Sequence, residues 1–333
     1  MRPPLPFVMA LVLLGGAIAV RSASQAVDPA RIEQRAVAFL SQEVPRWRRE
    51  HACYSCHNNG DAVRALVAAS SRGHDVRAAL DDSLRWLAAP SRWDSNAGGE
   101  GGGDDKRLAR IQFGTAVVKA ADASLLPADA VAKAAAIVAA DQHADGGWRL
   151  DSSDSIGSPA TYGAALATAL ARRVLGRASP ADYQAAIERA DGWLRNVKPV
   201  NTPDAAAVLF GLRGATDEPA RTLRASALQF LEKGQGRNGG WGPYSTVPAE
   251  PFDTALAILA LHEAGPESAP TFTLEQRLTA IARGREYLVR QQQPDGSWVE
   301  TTRPSGQESY AQRISTSAWA LLAVLETRGI ILQ

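Results

Sequence analysis

The chain has 333 residues, 45% of them hydrophobic, and its 36 basic residues are balanced by 35 acidic ones. A surface so close to neutral gives no support for nucleic-acid binding or for a polybasic membrane contact. The length suits a single domain with a large core.

In chain order, the first feature is an export signal over residues 1–26. Arg2 is followed by an apolar run, Pro6–Val20, broken only by Gly15 and Gly16, and then by small residues at Ala17, Ala19, Ser22, Ala23, Ser24 and Ala26. This layout predicts cleavage within Ala19–Ala26 and a mature domain over 27–333, periplasmic or extracellular; the rival reading is an uncleaved membrane anchor. No cysteine lies nearby, which excludes a lipoprotein. Loss of Arg2 and Arg21 takes the formal charge from +1 to −1, with 34 basic against 35 acidic residues.

Two helical segments follow, Ile32–Leu40 and Ala62–Ala69, and the loop between them reads His51-Ala-Cys53-Tyr-Ser-Cys56-His57. Cys-x-x-Cys-His is the c-type haem attachment pattern: two thiols add to the porphyrin vinyls and the adjoining His57 binds the iron. Cys53 and Cys56 are the only cysteines, in a chain that reads as exported. Three readings stand side by side: covalent haem c with an attendant redox partner, a Cys53–Cys56 disulfide tying the loop, or a zinc site drawn from His51, Cys53, Cys56 and His57. Both methionines, Met1 and Met9, fall in the signal, so His/Met ligation is excluded. His51 and His74 are the nearest candidates for a sixth ligand, with His143 and His262 more distant.

Beyond this loop the chain repeats itself. Val76–Leu87 pairs with Leu108–Val118 across a loop holding Trp93 and the glycine-rich insert Gly98–Asp105. Three turns then share one spacing: Gln142…Asp145-Gly-Gly-Trp148, Gln235…Asn238-Gly-Gly-Trp241 and Gln292…Asp295-Gly-Ser-Trp298. Each follows a one-faced segment; in the last, Leu274, Leu278, Ile281 and Leu288 share a face. Each precedes a run that is apolar nearly all round: Thr161–Leu175, Asp253–Leu261 and Ser315–Leu325. Ala181–Leu194 with Pro203–Leu212 is a copy without the Gly-x-Trp turn, its Trp193 displaced. Recurrence at a fixed period marks one supersecondary unit used repeatedly. Six helical hairpins predict an (α/α)6 toroid, an all-α fold with an inner and an outer ring. An open solenoid of stacked helix pairs is the alternative.

Gln292…Asp295-Gly-Ser-Trp298, with Leu288 and Arg285 upstream, resembles the QW repeat of the squalene–hopene cyclase and prenyltransferase superfamily, and the turns at Trp241 and Trp148 look like further copies. The resemblance implies the toroid and an apolar central cavity able to take a hydrophobic, isoprenoid-like ligand. It does not carry the chemistry. Class II cyclases protonate their substrate with the middle Asp of Asp-x-Asp-Asp-Thr-Ala, and the matching stretch here is Glu250-Pro-Phe252-Asp253-Thr-Ala255, with a phenyl ring where the donor would stand. Asp253 and Glu250 are therefore the remaining weak candidates for a different acid, and Asp253 equally suits a helix start. The prenyltransferase zinc site is absent, since no cysteine follows Cys56. The resemblance leaves two functions open: a haem-bearing redox or isoprenoid-binding protein without the cyclase acid, and a diverged cyclase using another acid.

Overall fold

The computed structural model describes residues 29–95, 106–150, 156–264 and 272–330. The signal at 1–26 and the insert Gly98–Asp105 lie outside them. The described residues contain six consecutive helix pairs. They are α1 (Pro29–His51) with α2 (Val63–Ser70), α3 (Arg77–Leu87) with α4 (Lys106–Asp122), α5 (Ala128–Ala140) with α6 (Gly163–Ala178), α7 (Gln184–Leu194) with α8 (Thr202–Gly211), α9 (Glu218–Gly234) with α10 (Pro251–Glu263), and α11 (Leu274–Gln291) with α12 (Tyr310–Glu326). A π-helical segment, Cys56–Ala62, leads directly into α2 and lengthens it. Each even-numbered helix packs on the next, and α12 packs back against α2 and the π-helical segment. The ring is closed, and the open solenoid is excluded.

The inner ring follows from the all-round apolar sequences. Every residue from Phe252 to Leu261 in α10 is buried, and the alanines among them let neighbouring helices approach closely. The outer helices bury one stripe, but the stripe of α11 differs from the sequence expectation. Leu274 and Leu278 are 43% and 40% exposed, whereas Arg277 and Arg285 are buried. For Arg285 the reason is local: its guanidinium donates to the Val324 carbonyl (2.6 Å) and to Thr327 Oγ1 (2.8 Å). A cation at the end of α12 satisfies carbonyls that the helix leaves unpaired. Arg224 of α9 does the same at the end of α8, donating to the carbonyls of Leu212 and Ala215.

The repeated turns are the fasteners of the ring. In each, the tryptophan is fully buried. Its indole N–H donates to a carbonyl ten residues back, that of Val138, Leu231 or Leu288, at 2.7–2.8 Å. Its backbone N–H donates to a hydroxyl on the following inner helix, that of Thr168, Thr254 or Ser317, at 2.9 Å. The glutamine amide donates across to the next outer helix, at Ala186 of α7 and Ala280 of α11. In the last copy the next outer helix is α1, and Gln292 donates to the Ile32 carbonyl at 3.0 Å. The glycine of each turn has φ near +90° (Gly146 +97°, Gly239 +88°, Gly296 +92°), a conformation other residues adopt only under strain. Trp193, the displaced copy, lies against Gly147 of the preceding turn.

Candidate functional site

Along the axis of the toroid the inner helices behave differently at their two ends. At the N-terminal half the axis is plugged. Asp61, fully buried in the π-helical segment, accepts hydrogen bonds from Gln112 Nε2 of α4 (3.0 Å), from the Tyr162 hydroxyl (3.1 Å), from Trp319 Nε1 of α12 (3.0 Å) and from the Ser315 hydroxyl. Burial holds the Tyr162 phenol well above its ordinary pKa, so it serves as a donor. Phe252 closes the plug, its ring 6.2 Å from that of Tyr162 and 5.6 Å from that of Trp319. The position that the cyclase motif reserves for its proton donor is thus on the axis here, and a phenyl ring fills it.

Above the plug, toward the C-terminal ends of the inner helices, lies a cavity of about 790 Å³ to which all six inner helices contribute. Trp319 and Arg64 form part of its lining, and Leu170, Val174, Phe210, Leu259 and Leu322 supply apolar wall. Ion pairs stand among the lining residues at the helix ends: Arg173–Glu263 and Arg177–Asp122 at 2.5 Å, and Lys119–Glu326 at 2.7 Å. Charged and polar side chains make up half of the lining residues, so the wall is mixed; a cavity of this volume is within the usual range of a small-molecule site.

The weak acid candidates lie away from this cavity. Asp253 is fully buried near the start of α10, and neither carboxylate oxygen has a hydrogen-bond partner. Burial pushes its pKa well above the usual carboxylate range; nearby Glu250 pushes it further and Arg303, at 3.6 Å, opposes. Glu250 itself is paired with Arg303 at 2.6 Å. Neither acid lines the cavity. The N-cap role open to Asp253 is not what the geometry shows, since Glu250 precedes the helix and no side chain caps it; Asp253 is a first-turn acid buried without partners.

The loop Cys53–His57 occupies the plugged end. Ser55 caps the π-helical segment by accepting from the Asn58 N–H (3.0 Å). Tyr54 stacks on Trp86 at 4.4 Å and donates to Asp82. Cys53 is only 3% exposed, whereas Cys56 and His57 are half-buried, and the cysteines are not bridged. A porphyrin on both thiols would need the loop to open at Cys53 alone. Among the described residues no group of three His, Cys, Asp or Glu side chains is placed to hold a metal ion, so the zinc quartet is not assembled. His51 is exposed and stacks on Trp47 at 4.0 Å. His74 follows the far end of α2, where it faces Glu33 at 3.7 Å. At about 1.5 Å per residue the helix holds it roughly 20 Å from His57, which removes it as a sixth ligand. His143 lies beside Asp145, and His262 lines the cavity.

Asp61 and Arg64 escaped the sequence reading, which treated this hairpin through its Cys-x-x-Cys-His loop. The signal was present: an acid and a base three residues apart open a run, Ala62–Ala69, in which every other residue is apolar. Charges in such a run are buried, and buried charges need a reason.

No protein-family model matches the chain. Over 109 residues it is 32% identical to drimenyl diphosphate synthase of Streptantibioticus cattleyicolor, a stretch covering 32% of this chain and 19% of that one. Over 113 residues it is 31% identical to lanosterol synthase of Saccharomyces cerevisiae, covering 32% and 14%. The matched stretches therefore span less than a fifth of these relatives. Among solved structures, type II terpene cyclase MstE from Scytonema superposes with a TM-score of 0.59 at 16% identity over 91% of this chain and 98% of that one. A possible member of the GH105 family from Klebsiella pneumoniae superposes with a TM-score of 0.58 at 12% identity, over 97% and 100%. The fold is that of the terpenoid cyclases, and the same toroid serves proteins of other description, so the fold alone does not fix an activity.

Proposed function

We propose that the toroid is a chamber for a hydrophobic, isoprenoid-like ligand, held in the cavity that opens at the C-terminal ends of the inner helices. The observation that carries this reading is the cavity itself, about 790 Å³ on the axis with apolar wall from α4, α6, α8, α10 and α12. The stretches shared with two cyclases support the same class of ligand. Calorimetric titration with farnesol and geranylgeraniol tests it: one molecule of either should bind per chain, and the absence of binding by both would contradict the reading.

Turnover in the manner of a diverged cyclase is the second reading, favoured by one observation. Asp253 is an acid whose pKa burial raises well above the usual carboxylate range, the direction a proton donor needs. For it to act, the plug of Tyr162, Phe252 and Trp319 must part, because Asp253 does not line the cavity. Incubation with squalene or a prenyl diphosphate, followed by analysis for cyclised products, separates turnover from binding.

Haem c on Cys53 and Cys56, with His57 on the iron, remains the proposal for the rim of the plugged end, in an exported protein with a redox partner. It rests on the complete Cys-x-x-Cys-His sequence and on the half-exposed Cys56 and His57. When bound, the group would supply one-electron chemistry. Denatured protein from a host able to mature haem c should keep a haem stain that Cys53→Ala with Cys56→Ala removes; protein of unmodified mass from such a host would defeat it.

A further inference from the structure

Arg64 is a buried cation in the wall of the cavity. Its side chain is 9% exposed, it lines the cavity, and its guanidinium lies over the face of Trp319 at 3.9 Å from the ring centroid. Asp61 is the carboxylate beside it, at 3.6 Å, too far for a hydrogen bond. Asp61 also accepts from Gln112, Tyr162, Ser315 and Trp319, neutral donors that leave Arg64 as its buried counter-charge. Arg64 Nε is buried without a partner. The buried Arg285 and Arg224 donate to carbonyls at helix ends; Arg64 lines the cavity instead. A buried cation with donors to spare costs stability and is the usual means of holding an oxyanion in a pocket.

The geometry points to an oxyanion site at the inner end of the cavity: Arg64 receives the carboxylate or phosphate head of an amphipathic ligand, whose hydrocarbon chain extends along Leu170, Val174 and Leu259 toward the mouth. This rests on the reading of the cavity as a chamber for an isoprenoid-like chain and adds the head group and its direction of entry. It also bears on turnover. The π face of Trp319, which could steady a developing carbocation, is already covered by a fixed cation that would repel one.

The test is calorimetric titration with three probes of equal chain length, namely farnesol, farnesoate and farnesyl phosphate, against wild type, Arg64→Leu and Arg64→Gln. Wild type should bind at least one of the anions tenfold or more tightly than farnesol, and the tighter anion identifies the head as carboxylate or phosphate. Both variants should lose that preference, with the anion and farnesol affinities converging. Arg64→Gln keeps a polar head over Trp319, so one variant that retains the wild-type circular dichroism is sufficient. Equal affinities in wild type, or an anion preference that survives in a folded variant, overturns the oxyanion site and leaves the chamber standing. Failure of all three probes to bind wild type overturns both.

Discussion

The two ends of this toroid are built from the same six helices and do opposite things. At the N-terminal ends of the inner helices, three repeated turns each clamp one hairpin to the next, and Asp61 knots three helices across a plugged axis. At the C-terminal ends the helices stand apart around a cavity, and partly exposed ion pairs join the buried bonds of Arg285 and Arg224. The contrast separates two kinds of residue. What recurs at fixed spacing holds the ring; what occurs once and breaks an apolar run marks the site.

Perturbing the clamped end should give the largest effects. Trp148→Ala, Trp241→Ala or Trp298→Ala each removes a fully buried indole and its N–H hydrogen bond. Each should cost about 3–5 kcal/mol in denaturant unfolding, with ligand affinity of the folded protein unchanged. A variant of full stability that lost ligand would make that tryptophan a site residue and break the contrast. Asp61→Ala leaves the Tyr162 and Ser315 hydroxyls without their acceptor and the Arg64 cation without its counter-charge, and should cost about 3 kcal/mol.

The buried acids sharpen the same comparison through pH. For Asp253 the folded-state pKa is raised by burial, so its stabilising contribution is complete below the unfolded value of about 4 and is lost as pH rises through the folded value. Asp253→Asn should therefore match wild type near pH 4 and exceed it in melting temperature progressively at higher pH. Asp204, pushed up to about 6 by burial, should act with the same sign and fade between about pH 4 and 6. A wild-type melting curve no steeper in pH than that of the double variant would contradict both. At the open end, Glu263→Gln breaks a partly exposed pair with Arg173 and should change stability by less than about 1 kcal/mol.

The fold was largely legible because its determinants are local and repeated. The Gln, Gly and Trp positions, the all-round apolar runs and the count of six hairpins each appear in the sequence. The stripe of α11 was misread because Arg285 lies inward, bound to the Val324 carbonyl and the Thr327 hydroxyl at the end of its partner helix α12, which periodicity within one helix does not register. The site was less legible for a related reason. Asp61 meets Gln112, Tyr162 and Trp319 across 51 to 258 positions of chain, and the cavity depends on how six helices splay at one end. The Cys-x-x-Cys-His loop drew attention to the rim, while the charged pair a few residues on, Asp61 and Arg64, sits on the axis.

The central claim is that the cavity at the open end is the binding chamber, and Gly176 allows it to be tested without disturbing the ring. It lines the cavity in the last turns of α6, and a Cβ there would meet nothing within 4 Å. Gly176→Trp should therefore fill the mouth while leaving the core intact, and removal of a helical glycine should not lower stability. The dissociation constant for farnesol or geranylgeraniol, measured on wild type and Gly176→Trp at matched folded content, is the decisive quantity. The account predicts a loss of at least tenfold in the variant with its melting temperature maintained; affinity equal to that of wild type would place the ligand elsewhere and contradict it.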